Sequence, residues 1–252
     1  MHLPANDARS VPDLFEAAFH ADAESARDAM AALSWRGSEE VRDRAIALTR
    51  SADPVARGCG ATILGELGIP ERTFPNACFS AVLPLLADAV EAVVIDAIYA
   101  LPKIDQSRAI AHILPFAGHD APAIRVAAAF GLCGAETPMA LQTLLKLMDD
   151  GDPDVRDWAT FGIGSQSEAD SAQIRSALTK ALSDEDEDVR YEAIIGLGQR
   201  SDRRAVPYLV SLLRADPEDI FAREAAAKLL TLDEDTTVPT VDPISTLRTL
   251  VA

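Results

Sequence analysis

Aromatic side chains are scarce in this sequence, at 5% of its 252 residues. With alanine and leucine dominating, that scarcity disfavours a β-rich core and favours helices packed closely through small residues. Cysteine is rarer still. Cys59, Cys78 and Cys133 are widely spaced and odd in number, which excludes a disulfide frame or a zinc pattern. They read as free thiols in a reducing compartment, the cytoplasm. The four histidines, His2, His20, His112 and His119, stand at no metal-binding spacing and have no glutamate neighbour, so neither a metal site nor another cofactor is expected. No glycine-rich loop follows a strand, which removes the nucleotide cradles.

Long apolar runs are missing too. The most apolar stretch, Phe79 to Leu101, is interrupted by Asp88, Glu91 and Asp96, too charged to span a bilayer. Met1 to Phe15 lacks the basic start and apolar centre of a signal peptide. The last deficit is of positive charge: 23 basic against 40 acidic residues give a net charge of −17. Nucleic-acid affinity comes mainly from Lys and Arg neutralising phosphates, so no nucleic-acid surface is expected. Docking on anionic membranes is disfavoured for the same reason. A basic protein is the natural complement, because opposite fields speed encounter.

What the chain has is a repeated phrase. Asp186–Glu187–Asp188–Val189–Arg190 is followed by Ala193, Leu197 and Gly198. Asp152–Pro153–Asp154–Val155–Arg156 is followed by Ala159, Ile163 and Gly164. Taking the arginine as position zero, the anchors fall at Arg57, Val94, Arg125, Arg156, Arg190 and Arg223, at intervals of 37, 31, 31, 34 and 33 residues. Between them lie other helical patterns, such as Leu141 to Met148 and Val206 to Leu213, with Pro138 and Pro207 placed for a first helical turn. Each repeat reads as helix, acidic turn, helix, short loop. Such a unit cannot bury its apolar face alone, so neighbours must stack. The expected fold is all-α, a right-handed α-solenoid of about seven antiparallel helix pairs. It begins near Val11 and occupies residues 1–232, with an acidic linker and short terminal helix or tail over 233–252. At Val94 the arginine is missing, Pro102 replaces the closing glycine and the preceding interval is the longest, which predicts a local kink.

The phrase D-P-x-V-R-x-x-A-x-x-x-L-G, with the A-V-P-x-L opening of Ala205 to Leu209, resembles the HEAT-repeat family. The likeness is closest to its short bacterial variety, also found in phycobilin-lyase-like proteins, and covers roughly residues 20 to 232. Tetratricopeptide and ankyrin signatures are absent. The family serves many roles, so the resemblance implies a fold and not a function. It also implies a ladder of Asp and Arg between repeats, carried here by Asp53, Arg57, Arg125, Asp152, Arg156, Asp186, Arg190, Asp219 and Arg223. The aspartates also suit helix N-caps. The His-Glu pairs of HEAT-type di-iron hydroxylases are missing, and the basic groove of HEAT-like alkylpurine glycosylases would here have the opposite sign.

At 100° per residue, positions −1, +3, +4 and +7 share one side of the second helix. These are Val155, Ala159, Thr160 and Ile163, or Val189, Ala193, Ile194 and Leu197, and they form the core, with the arginine at position zero expected near the centre of that face. Positions +1, +2 and +5 face the other way, toward the expected concave surface. There stand Ile95, Asp96 and Tyr99, then Val126 and Phe130, then Asp157, Trp158 and Phe161, then Tyr191, Glu192 and Ile195, with Glu224 beyond them. An aromatic stripe rimmed by carboxylates reads as a recognition surface. The turns add an acidic edge of Asp150, Asp154, Glu185, Glu187 and Asp188. The expectation is a non-enzymatic module, monomeric or weakly oligomeric, that holds a basic protein, as an immunity-type inhibitor of a cationic toxin or as a scaffold. The alternative, implied by the family resemblance, is lyase-like or chaperone-like handling of a planar tetrapyrrole.

Overall fold

The computed structural model describes residues 7–20 and 22–230. The expected tail and its helix over 243–251 lie outside the described residues. All regular elements among those described are helical. In chain order they run α1 (Val11–His20) and α2 (Ala23–Arg36), α3 (Glu39–Leu48) and α4 (Pro54–Glu66), α5 (Pro75–Val82) and α6 (Glu91–Ile113). They continue with α7 (Pro122–Leu132), α8 (Pro138–Leu147) and α9 (Pro153–Gly164), α10 (Ala172–Ala181) and α11 (Glu187–Gln199), and α12 (Val206–Ala215) and α13 (Ile220–Leu229). α6 is broken at Asp105, where the backbone leaves helical geometry at φ −160° and ψ 96°. Its final turns therefore count as a separate first helix, and with α7 they complete seven pairs in sequence order. None of these helices is long and apolar enough to cross a membrane.

Local chemistry sets the helix starts. Asp22, Asp53, Asp152, Asp186 and Asp219 each accept backbone N–H groups of the first turn that follows, as do Ser38, Thr137 and Ser171. Those donors have no partner inside the helix, and a short acceptor side chain satisfies them. Proline opens α4, α5, α7, α8 and α9, where its missing N–H costs nothing. The break in α6 follows Pro102, and Asp105 caps what comes next by accepting from the Arg108 N–H (3.1 Å) and the Ser107 hydroxyl (2.8 Å). The longest repeat interval is taken up by the loop over 67–74 between α4 and α5.

The helices group into two compact units that divide between Phe116 and Ala117. In the first, α4 packs on α3 and α6, and α2 reaches α4. In the second, α7, α9, α11 and α13 pack in succession, with α8, α10 and α12 each backing a second helix. Val155, Ala159, Thr160 and Ile163 are buried, as are Val189, Ala193, Ile194 and Leu197, so the −1, +3, +4, +7 stripe is the core. α9 and α11 approach closely because both lack a side chain where they cross. A Cβ added to Gly196 would lie 2.5 Å from the Gly164 Cα, closer than any real side chain sits.

Candidate partner-binding face and the charge ladder

The phrase arginines make a regular construction. Arg57 donates from Nε and Nη2 to both oxygens of Asp88, at 2.7 and 2.8 Å. Arg125 does the same to Asp150 at 2.8 and 2.7 Å, and Arg156 to Asp184 at 2.9 and 2.7 Å. The remaining corner, Nη1, donates back to a carbonyl of the arginine's own turn: Ser51, His119 and Asp150 respectively. Each aspartate also accepts a backbone N–H two residues on, from Val90, Asp152 and Asp186. One planar guanidinium thus ties two consecutive turns, the geometry that arginine and not lysine provides. The paired arginines hold all three carboxyls below the usual aspartate range.

These contacts correct the sequence reading in three ways. The rung aspartate is six residues before the next anchor, so Asp53, Asp152, Asp186 and Asp219 cap helices and are not the rungs. The arginines lie half-buried at the turns and not at the centre of the core face, because a guanidinium needs the turn carbonyls and a carboxylate at once. Asp150, expected on an open edge, is bound to Arg125. The other edge residues, Asp154, Glu185, Glu187 and Asp188, are exposed. Arg190 reaches only its own turn, at the Asp184 and Glu185 carbonyls. Pro217 occupies the position six before Arg223, where a rung aspartate would stand. Arg223 meets Glu218 at 3.2 Å.

The expected stripe residues fall in two places. Ile95, Asp96 and Tyr99 are half-buried on α6 in the first unit. There the Asp96 carboxylate rests on the α4 backbone, so that a Cβ on Gly58 would come within 2.1 Å of its Oδ2, and burial raises its proton affinity. Phe130 on α7, Asp157, Trp158 and Phe161 on α9, and Tyr191 and Glu192 on α11 are half-buried in the second unit. The Trp158 ring meets Phe130 at 5.0 Å and Phe161 at 5.6 Å, both edge to face, a favoured aromatic geometry. The Tyr191 hydroxyl donates to Asp219, 3.0 Å from Oδ1 and 3.1 Å from Oδ2. Ile195 is a correction. It is 1% exposed, because α11 is flanked by both α9 and α13 and this position is closed over.

Electrostatics single out two carboxylates on this face. Asp157 is pushed up to about 6, by burial first and then by Asp188, Asp186 and Asp154. Burial raises Glu192 as well, opposed by the hydrogen bond it accepts from the Ser165 hydroxyl at 2.7 Å. Neither has an ion-pair partner among the described residues. Cys133 is pushed up to about 12, by burial and then by Glu192 and Asp157. That thiol is therefore no nucleophile at neutral pH. Burial likewise raises Cys59.

Two further features escaped the sequence. Arg200 is buried, and its guanidinium donates to the carbonyls of Ile163, Gly164, Ser167, Ala169 and Gly196 at 2.6–3.0 Å. It thereby gathers the carboxyl end of α9, where helix dipoles favour a cation. A groove of about 790 Å³ runs along α8 and α10, lined by Leu145, Met148, Arg156, Ala177, Lys180 and Asp184 among others. Its cations are taken: Arg156 by Asp184, and Lys180 by Asp149 at 2.6 Å. A rung aspartate recurring at −6 was a signal available in the sequence. Nothing local marks Arg200.

Helix pairs stacked through small residues, with a charged rung at three of the turns, define a helical-repeat protein of the α-solenoid class. Residues 141–231 match the family model of HEAT repeats, which bears out the resemblance in the repeated phrase over that part of the chain. No curated protein matches the sequence. Among solved structures, the chain is similar to YibA of Escherichia coli, at 26% identity over 96% of this chain and 92% of that one, with a TM-score of 0.70. It is also similar to two engineered proteins. One is 17% identical over 82% of this chain and 97% of the other, at a TM-score of 0.52; the second is 19% identical over 87% and 67%, at 0.51.

Proposed function

We propose that this chain is a non-enzymatic protein-binding module whose second unit offers the face of α7, α9 and α11 to a basic protein. The observation that carries this reading is one combination: half-buried rings at Phe130, Trp158 and Phe161 beside carboxylates that have no counter-ion among the described residues. A carboxylate kept partly dehydrated raises the energy of the free protein, and an incoming cation relieves that cost. The surplus of acid over base supplies the long-range field that brings such a partner in. Acting as an inhibitor of a cationic toxin, in the manner of an immunity protein, or as a scaffold for a basic subunit would both use this chemistry. The edge-to-face rings turn toward one another, which favours a protein surface over a flat stacked pigment.

The test is capture of basic proteins on immobilised wild type and on the double variant Phe130→Ala, Phe161→Ala, with circular dichroism confirming that the variant is folded. Loss of the captured basic proteins is expected. Equal recovery by the folded variant would remove this face as the binding site.

A further inference from the structure

We infer that Asp157 and Glu192, one on α9 and one on α11, form with the Trp158 ring a seat for a single arginine side chain presented by an extended segment of the partner. The inference rests on the basic-partner reading and names the group recognised. The two half-buried carboxylates sit on neighbouring helices that pack closely, with Gly164 of α9 against the Glu192 backbone, and neither is engaged by a cation among the described residues. Glu192 is already oriented by the Ser165 hydroxyl, so its second oxygen is the one left to accept. Trp158 lies next to Asp157 in the chain and is fixed on two sides by Phe130 and Phe161, which gives a rigid apolar floor. An arginine matches this on three counts. Its planar donors can reach two carboxylates at once, its methylene stem suits an aromatic floor, and its weak hydration lowers the cost of leaving water. Lysine offers a compact, strongly hydrated charge and suits one carboxylate better than two.

The chain itself uses guanidinium–ring contacts elsewhere. Arg42 lies 4.4 Å from the centre of the Phe74 ring and Arg108 4.0 Å from that of Phe79. Neither Trp158 nor Phe161 has such a cation over it among the described residues. Among the described residues no complementary charge is supplied, and the inference assigns it to the partner.

The experiment uses the full chain carrying Trp35→Phe, so that Trp158 is the one fluorescent tryptophan. Three blocked decapeptides are titrated: alternating Arg-Gly, alternating Lys-Gly and alternating Glu-Gly. The arginine peptide should bind with a saturable change in Trp158 emission, about tenfold more tightly than the lysine peptide, and the glutamate peptide should not bind. Asp157→Asn and Glu192→Gln should each weaken the arginine peptide about tenfold. Glu16→Gln, exposed on α1 and outside this face, should change it less than about twofold. Melting curves of both variants check that lost binding is not lost folding. If the arginine peptide binds but ignores Asp157→Asn and Glu192→Gln, the seat is wrong while a basic partner remains in play. Equal binding of the lysine peptide, with the same sensitivity, overturns the preference for a guanidinium. No binding by either basic peptide overturns the seat outright, and the capture experiment then decides the wider reading by itself.

Discussion

In the first unit, rings meet cations from the chain itself, Arg42 at Phe74 and Arg108 at Phe79, and the repeat is interrupted by the 67–74 loop and the break at Asp105. In the second unit the repeats are even, rings meet rings, and the carboxylates beside them lack counter-ions among the described residues. The ladder follows the same contrast. The first unit has one rung, Arg57 to Asp88, and the second has two, Arg125 to Asp150 and Arg156 to Asp184. At the step between these sets both members are replaced, Val94 for arginine and His119 for aspartate. One template thus yields a stretch whose rings are met by the chain's own arginines and a stretch whose rings meet one another. A half-buried carboxylate without an ion pair among the described residues occurs in both, at Asp96 and at Asp157. The rings also differ in place: Phe74 and Phe79 stand at and in α5, a first helix, whereas Phe130, Trp158 and Phe161 stand on the second helices α7 and α9.

That contrast can be broken most severely at Arg200. Arg200→Met leaves five carbonyls without their donor and should cost about 4 kcal/mol in urea unfolding, with the second unit losing protection from hydrogen exchange first. Next comes Gly196→Ala, whose new methyl would collide with the Gly164 backbone. A loss of about 3 kcal/mol is expected, larger than for Gly65→Ala in the first unit, where the nearest backbone atom is 2.9 Å away instead of 2.5 Å. Arg156→Ala should cost about 2 kcal/mol by removing a bidentate pair, whereas Arg190→Ala, with no rung to lose, should cost about half that. Equal losses in the two would show that the carboxylate rung adds nothing to the turn contacts.

The smallest effect sharpens the comparison through pH. Asp157 binds its proton more tightly folded than unfolded, so its charge destabilises the fold as pH rises from about 4 to about 6. The rung aspartates Asp88, Asp150 and Asp184 are shifted the other way. Their stabilisation is present above the ordinary aspartate range and is lost as the pH falls below it. Asp157→Asn should therefore be slightly more stable than wild type at pH 7, by less than about 1 kcal/mol given its partial exposure, and the gain should vanish near pH 4. A variant that is sturdier yet binds the arginine peptide less well separates a functional carboxylate from a structural one.

Much of this was readable from the residues. The phrase placed the second helices, its aspartates suited their starts, and the stripe through Val155, Ala159, Thr160 and Ile163 was core. Short-range rules sufficed there because caps and helix faces depend on residues within about two turns. The rung was misplaced because an arginine six bonds long chooses a partner in the next repeat, and spacing within one repeat does not report that choice. Ile195 was misjudged for a related reason: a helical wheel gives a direction, but α13 decides whether that direction is open. Arg200 was invisible because its partners are backbone carbonyls, which every residue has.

The bare crossing of α9 and α11 has an effect that reaches the binding face. Glu192 lies one turn before Gly196 on α11, and Asp157 lies two turns before Gly164 on α9. How far apart those two acids stand is set by how near the helix axes come, and the axes come near only because both crossing positions carry hydrogen alone. The gauge of a charged seat is thus written in two residues that never touch a guest. Swelling either one would widen the grip without altering a single polar atom.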